Sequence, residues 1–227
     1  MKNLLFLSLS IFTLSIFSQE KTVPDDLEVQ NLEEILVSSI RVDKNAPIAF
    51  SNVSKDDLAK NNLGQDLPIL LNSLTSVVTT SDAGAGVGYT GIRIRGVNAQ
   101  STNITINGIP YNDAESLGTY WVDLPDFASS VENLQVQRGV GTSTNGSSAF
   151  GASINILTDL ISENPYFENA NSVGSYNTIK NTFKFSTGIL NDNFEFSGRL
   201  SKIDSDGYID RAKSDLKSYF LQATYKK

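Results

Sequence analysis

The 227-residue chain has no cysteine and no histidine. Without cysteine there can be no disulfide framework and no lipid-anchoring cysteine behind a leader. Without either residue, the usual zinc sites, the Ser-His-Asp and Cys-His nucleophile systems and the commonest acid–base group are all excluded. Carboxylate catalysis stays formally open, but no motif asks for it, so a non-enzyme with no cofactor and no metal is expected. Positive charge is also short. Eighteen Lys and Arg stand against 25 Asp and Glu, a formal charge of −7, and no basic stripe is present. That excludes a nucleic-acid partner. After the first 17 residues no apolar run approaches the roughly 20 needed for a membrane-spanning helix. A place in a membrane would therefore require strands closed into a barrel, because only helices and closed barrels satisfy their backbone there.

The N-terminus supplies a compartment. Lys2 is the only charge before Glu20, and an uncharged stretch rich in Leu, Phe and Ile runs to Phe17, followed by Ser18 and Gln19. These are the three regions of a secretory signal, assigned to residues 1–18. A membrane anchor fits the length and flanks less well. Cleavage leaves a mature charge of about −8. Residues 19–47 form a polar, acidic leader broken by one apolar patch, Ile35, Leu36 and Val37. Its composition predicts a mobile segment. The patch suits either addition to a partner's sheet edge or the first strand of the following domain.

Residues 48–160 read as an α+β domain. Ser54 and Asp57 resemble a capping box, with Asp57 where Glu or Gln is usual, opening a helix that stops near Gly64. Asp66 is placed to cap a second helix, with Pro68 in its first turn and Ile69, Leu70, Leu71 and Leu74 to bury. The period then changes to two. Ile92 and Ile94, Ile104 and Ile106, then Val131, Leu134 and Val136, and finally Ile154 and Ile156 predict strands, with an Asn107-Gly108 turn and a short helical segment near Phe127.

Residues 161–227 change character. Ile179, Asn181, Phe183 and Phe185 alternate with Lys180, Thr182, Lys184 and Ser186, and Phe194, Phe196, Gly198 and Leu200 with Glu195, Ser197, Arg199 and Ser201. Tyr219, Leu221, Ala223 and Tyr225 repeat the scheme with Phe220 off pattern, and a weaker strand lies near residues 166–173. Two-faced segments of about 10 residues that carry aromatics fit transmembrane barrel strands, and equally a soluble meander. About three residues join the second and third strands and about a dozen the third and fourth. That alternation of short and long connections, with the export signal, favours the barrel.

Two motifs then carry a resemblance. TGIRIRGVNAQSTNITINGIPYND (residues 90–113) and VENLQVQRGVGTSTNGSSAFGASINILTD (131–159) resemble the plug domain of TonB-dependent outer-membrane receptors. In front of them EEILVSSIRV (33–42) is similar to the TonB box. The resemblance implies a plug inside a barrel of 22 antiparallel strands, of which this chain holds the first four or so. It also implies residence in the outer membrane of a Gram-negative bacterium, with plug and leader facing the periplasm and lipid around the barrel. The box strand, Ile35, Leu36, Val37, Ser38 and Ser39, would pair with the TonB-type energy-coupling protein. Arg95 and Arg138 match arginines that latch plug to wall glutamates; the alternative is a pair of surface arginines. Asn98, Gln100, Tyr111, Glu115, Tyr120 and Trp121 would face an external small-molecule ligand, although Trp121 fits equally well packed beneath its loop. Thr144-Asn145-Gly146 departs from the family, which often has an aromatic before this Gly.

Gly84, Gly86 and Gly88 are read as a flexible plug loop rather than a phosphate loop, since no following Lys-Ser/Thr supports the latter. Asp204, Asp206 and Asp210 are read as a solvated outer loop, because Ile209 stands where a calcium loop needs Gly. The implied activity is energised import of a scarce nutrient, foremost an iron–siderophore-type chelate. Oligosaccharide or cobalamin import is the alternative, and so is a passive pore or adhesin. Four strands cannot close a barrel, for which 8 is the known minimum, so the chain is expected to be part of a longer one.

Overall fold

The computed structural model describes residues 41–42, 46–141 and 150–226, all within one unit, Glu33–Lys227. The expected signal, the box residues 35–39 and the 144–146 departure lie outside the described residues.

Ser54 ends β1 (Phe50–Ser54) and caps α1 (Lys55–Asn61). Its hydroxyl accepts from the Asp57 amide while the Asp57 carboxylate reaches back to the Ser54 amide, so the shorter Asp serves as the box acid. The second helix is a single turn, α2 (Leu67–Leu70). Leu67, Pro68 and Leu71 are buried there. Asp66 makes no capping bond; its side chain is drawn instead to Thr90, a correction to the sequence expectation.

The remaining strands of this domain are β2 (Val77–Ser81), β3 (Thr90–Ile94), β4 (Thr102–Ile106), β5 (Ile109–Pro110), β6 (Val131–Arg138) and β7 (Ala152–Thr158). β2 and β3 form a two-stranded ribbon, while a five-stranded sheet runs β1-β6-β7-β4-β5. The pairing β4-β7 is parallel and the others in that sheet antiparallel. Ile104, Leu134, Val136, Ile154 and Ile156 line one core together with Leu58, Leu71, Ile94 and Phe127.

β8 (Tyr166–Val173), β9 (Ile179–Ser186), β10 (Phe194–Ser205) and β11 (Ser214–Tyr225) make a four-stranded antiparallel meander. Its burial is inverted relative to a soluble sheet. The polar set Lys180, Thr182, Lys184, Ser186, Glu195 and Arg199 is buried, each under 7 % exposed, whereas Phe167, Tyr219 and Leu221 are 65 to 76 % exposed. A soluble meander would bury its apolar face, so the inversion decides for strands whose outer face meets lipid. Phe220 breaks the alternation because it points inward and stacks edge-on against Phe127 at 5.9 Å. The β9–β10 pairing runs on to a Leu190–Phe194 bridge, leaving a tight turn at 191–193. The β10–β11 loop spans 206–213, shorter than the dozen residues expected but still the longer connection.

Candidate functional site

The α+β domain meets the inner face of the meander through two carboxylates. Asp126 sits in a left-handed turn (φ 53°) that opens the 3₁₀ turn Phe127–Ser130 and projects it onto β9 and β10. Its Oδ1 lies 2.7 Å from Lys180 Nζ and its Oδ2 3.3 Å from Arg199 Nη1. The hydroxyls of Thr182 (2.6 Å), Ser201 (2.5 Å) and Ser129 (2.6 Å) also donate to it. Arg199 spends its other donors on Ser130 Oγ and the Pro125 carbonyl. The three charged groups are almost dry, with side-chain exposures of 0 to 4 %. Burial alone would raise the Asp126 pKa, but Lys180 and Arg199 outweigh it and hold the carboxyl down at about 2.

The second carboxylate is Asp159, just past β7. Its Oδ1 is 2.7 Å from Lys55 Nζ, which also reaches Glu132 at 3.1 Å, and its Oδ2 is 2.9 Å from Lys184 on β9. Gln222 on β11 links the same corner, donating to the Asp159 carbonyl and accepting from Thr158. Burial opposes the charge on Lys55, yet Asp159 and Glu132 raise its pKa overall. A cavity of about 410 Å³ opens here, lined by Lys55, Glu132, Asp159, Tyr166, Glu168 and Lys184. This corner is wet where the Asp126 node is dry.

Arg95 and Arg138 come together, but on the domain itself. Arg138 donates to Ser51 Oγ (2.7 Å) and the Phe50 carbonyl (3.2 Å). The Arg95 guanidinium lies over Gly139, where an added Cβ would stand 2.7 Å from its Nη1. Among the described residues neither forms an ion pair with the meander, and the buried inward glutamate, Glu195, accepts from Ser186 and the Ser162 amide through Oε1 while its Oε2 has no partner among them. The ion pairs that cross between the two sheets therefore have the opposite polarity to the expected latch, with acids on the domain and bases on the wall. Lys180, Lys184 and Arg199 were visible in the sequence as the polar half of the alternation. Asp126 had no such signal, since nothing local marks an Asp in a Pro-Asp-Phe turn as an anchor.

The expected ligand-facing segments are neighbours. Gln100 lies 4.0 Å from where a Gly118 Cβ would be. Asn112 ties the 111–118 loop down, accepting from the Ile104 amide and donating to the Thr102 and Leu117 carbonyls. Amides of Glu115 and Ser116 donate to Asp113 and keep its carboxyl below the usual range. Asn98, Gln100, Tyr111, Glu115 and Tyr120 are exposed. Trp121 is not: at 2 % exposure it belongs to the core beside Phe127, which corrects its assignment to the ligand face. An indole at the end of a loop gains more from the apolar interior than from solvent.

A contact with no counterpart in the sequence reading joins the glycine loop to the wall. The amides of Tyr208 and Ile209, in the 206–213 loop, both donate to the Ala83 carbonyl. Gly84 (φ 73°) has Tyr208 Cβ only 2.9 Å from where its own Cβ would stand, so a side chain there would meet both backbone strain and a clash. Tyr208 stacks edge-on with Tyr176 at 5.5 Å. Asp66 holds the base of this loop. Its amide donates to the Gly86 carbonyl, Thr90 donates to its Oδ2, and Oδ1 is buried with no partner among the described residues. Burial raises its pKa to about 7, against the smaller downward effect of the Thr90 hydroxyl. No cluster of acids able to hold a metal occurs among the described residues, and none of their helices is long and apolar enough to cross a membrane.

Residues 42–153 match the family model of the TonB-dependent Receptor Plug Domain. The chain is similar to the vitamin B12 transporter BtuB of Vibrio vulnificus, 30% identical over 80% of this chain and 29% of that protein. It is also similar to the ferrienterobactin receptor of Escherichia coli, 27% identical over 82% of this chain and 27% of that one. Its fold matches the crystal structure of the ferric yersiniabactin uptake receptor FyuA from Yersinia pestis with a TM-score of 0.56. That match is 18% identical and covers 78% of this chain and 28% of the receptor. The chain thus spans less than a third of the length of these relatives.

Proposed function

This chain belongs to the TonB-dependent receptors of the Gram-negative outer membrane, and from that premise we propose that the whole protein imports a scarce nutrient by energised opening of a plug seated in its barrel. Residues 1–18 act as the export signal and 19–47 as the leader. Residues 48–160 are the plug and 161–227 the first wall strands. The leader presents Ile35, Leu36, Val37, Ser38 and Ser39 as a strand for the energy-coupling protein in the periplasm.

One observation carries this reading: the plug is joined to the meander's buried polar face, while the apolar face is left outward. A stopper must fit a lumen, and a lumen wall turns its polar side inward. Arg95 and Arg138, paired on one edge of the plug, serve as a second latch for acids on later wall strands. Asn98, Gln100, Tyr111, Glu115 and Tyr120 form a clustered polar and aromatic surface for the ligand.

An iron–siderophore-type chelate is the preferred cargo, and cobalamin the second reading, because relatives named for each resemble the chain equally well. Deleting residues 34–39 from the full-length receptor should abolish energised uptake of a radiolabelled ferric chelate while leaving surface binding intact. Uptake at the wild-type rate would sink the proposal. Uptake of labelled cobalamin in place of the chelate would select the second reading.

A further inference from the structure

The glycine loop, residues 82–89, is held from two sides. On one side it lies against the start of α2, where a Cβ at Gly86 would stand 3.1 Å from Gln65 Cγ and 3.3 Å from Ile69 Cγ1. On the other side is the wall. A Cβ at Gly88 would meet the hydroxyl of Ser214, the first residue of β11, at 2.9 Å, and Gly84 lies under Tyr208. The wall side is itself one piece. The Asp206 amide donates to the Tyr176 carbonyl (2.9 Å), Asn177 Nδ2 donates to the Asp206 carboxylate (2.7 Å), and the Thr178 and Ser205 hydroxyls share a hydrogen bond (2.7 Å). Turn 174–178 and loop 206–213 are thus joined to each other, and the two amides on the Ala83 carbonyl tie both to the plug. They stand at the end of the meander opposite the tight turn, which is the outer end of a barrel wall.

This clasp depends on one acid. Asp66 spans the base of the glycine loop: its amide donates to the Gly86 carbonyl (2.9 Å), and its Oδ2 accepts from the Thr90 hydroxyl (2.9 Å) just past the loop's end. The residue is 1 % exposed, and Oδ1 has no partner among the described residues. Charged and titratable groups of the elements around it are turned outward or engaged elsewhere. Helix α2 carries none. Asp82 and Tyr89 in the glycine loop and Arg93 on β3 are exposed. So are Asp206, Tyr208, Asp210, Arg211 and Lys213 in the wall loop, and Asp215 on β11. Lys180, whose stem packs on Gly64, is bound to Asp126. An ionised Asp66 therefore has no cation to offset its charge, whereas the neutral acid is far less costly to bury.

We propose that Asp66 is a proton switch for the outer loops: neutral, it seats the glycine loop against the wall; ionised, it leaves its cradle for water and unties loop 206–213 from Ala83. Burial raises its carboxyl to about 7, against the smaller downward effect of Thr90. In the opened loop the carboxyl returns to about 4. An acid whose closed-state pKa is raised favours the closed form fully below its open-state value and loses that advantage as pH rises to the closed-state value. The clasp is therefore tightest in acid, loosens about tenfold per pH unit from about 4 to about 7, and changes no further above that. The outer mouth is shut more firmly in acid than at neutrality, whatever the cargo.

Hydrogen exchange of the Tyr208 and Ile209 amides tests this in the full-length receptor at pH 5 and pH 7, after correction for the intrinsic pH dependence of exchange. In the wild type their opening should rise about 100-fold between the two. Asp66→Asn cannot ionise and should show no rise. Thr90→Val removes the donor to the carboxylate and should extend the rise beyond pH 7, a second reading should Asp66→Asn fail to fold. Gly84→Val breaks the clasp from the plug side and should leave both amides unprotected at either pH. Heat-modifiable gel migration reports whether each variant forms a barrel. A wild-type rise below about threefold, the same rise in Asp66→Asn, or an unmoved window in Thr90→Val overturns the switch. Protection that survives in Gly84→Val overturns the clasp, and a wild type that forms no barrel overturns the inference together with the barrel reading.

Discussion

Replacing Asp126 by Asn should loosen the plug at its dry anchor. The substitution keeps the shape of the side chain but leaves Lys180 and Arg199 facing one another with no anion, at sites under 5 % exposed. Breaking a buried pair by removing one partner typically costs 3–5 kcal/mol, because the remaining charge is stranded. The depressed pKa gives an independent lower figure: a fall from 3.8 to about 2 corresponds to roughly 2.5 kcal/mol. Local opening of the 3₁₀ turn and of β9 should therefore become about 10²- to 10³-fold more frequent. Hydrogen exchange of the 127–130 and 180–182 amides in the full-length receptor reads that quantity directly. A change below about threefold would refute the assignment of Asp126 as an anchor. The pH dependence follows from the same linkage. A carboxyl whose folded pKa is depressed contributes stability that is present above its unfolded pKa near 4 and lost as pH falls through about 2. Wild-type protection at this turn should decline in that window, and the variant's should not.

Asp66 should behave in the opposite sense. Its folded pKa of about 7 lies above the unfolded value, so the native state pays for ionising it as pH rises from about 4 to 7. Asp66→Asn should thus slow exchange at Thr90 and its neighbours at pH 8, by up to about 4 kcal/mol of opening energy, and leave it unchanged at pH 4; equal effects at both would count against a buried, uncompensated carboxylate. Trp121→Ala should cost about 3–5 kcal/mol of plug stability, as a buried aromatic does, while Trp121→Phe leaves ligand affinity as it is. A selective loss of affinity in the phenylalanine variant would return Trp121 to the ligand surface.

Four wall strands, the capping box and most of the plug strands were legible because each rests on a local pattern. β1 was not, since FSNVS carries no alternation, and its place is set by β6, more than 75 residues away. The parallel pairing of β4 with β7 is likewise a non-local choice. Phe220 shows the limit most clearly: its departure from the alternation was visible, but its reason lies in Phe127 on another domain. The same holds for the site. Lys180, Lys184 and Arg199 could be placed on a polar face from period alone, yet nothing in the period says that a plug carboxylate waits opposite them. The expected ligand loops lie close together, and of the two readings left open for Trp121 the structure takes the packed one, because exposure of a loop aromatic depends on what its neighbours leave open.

The two anchors differ in a way that bears on release. Among the described residues, apolar contact between plug and meander includes Phe220 on Phe127 and Tyr208 over Gly84. What holds it are ion pairs and hydroxyl bonds, which water can replace one by one. At Asp159 solvent is close at hand: Lys55 is 45 % and Glu132 29 % exposed, and a cavity adjoins them. Ion pairs so open to solvent contribute little. At Asp126 water is excluded, and opening exposes an acid and two bases together. The solvent-open anchor at Asp159 is therefore the weaker of the two, and the dry one at Asp126 the stronger.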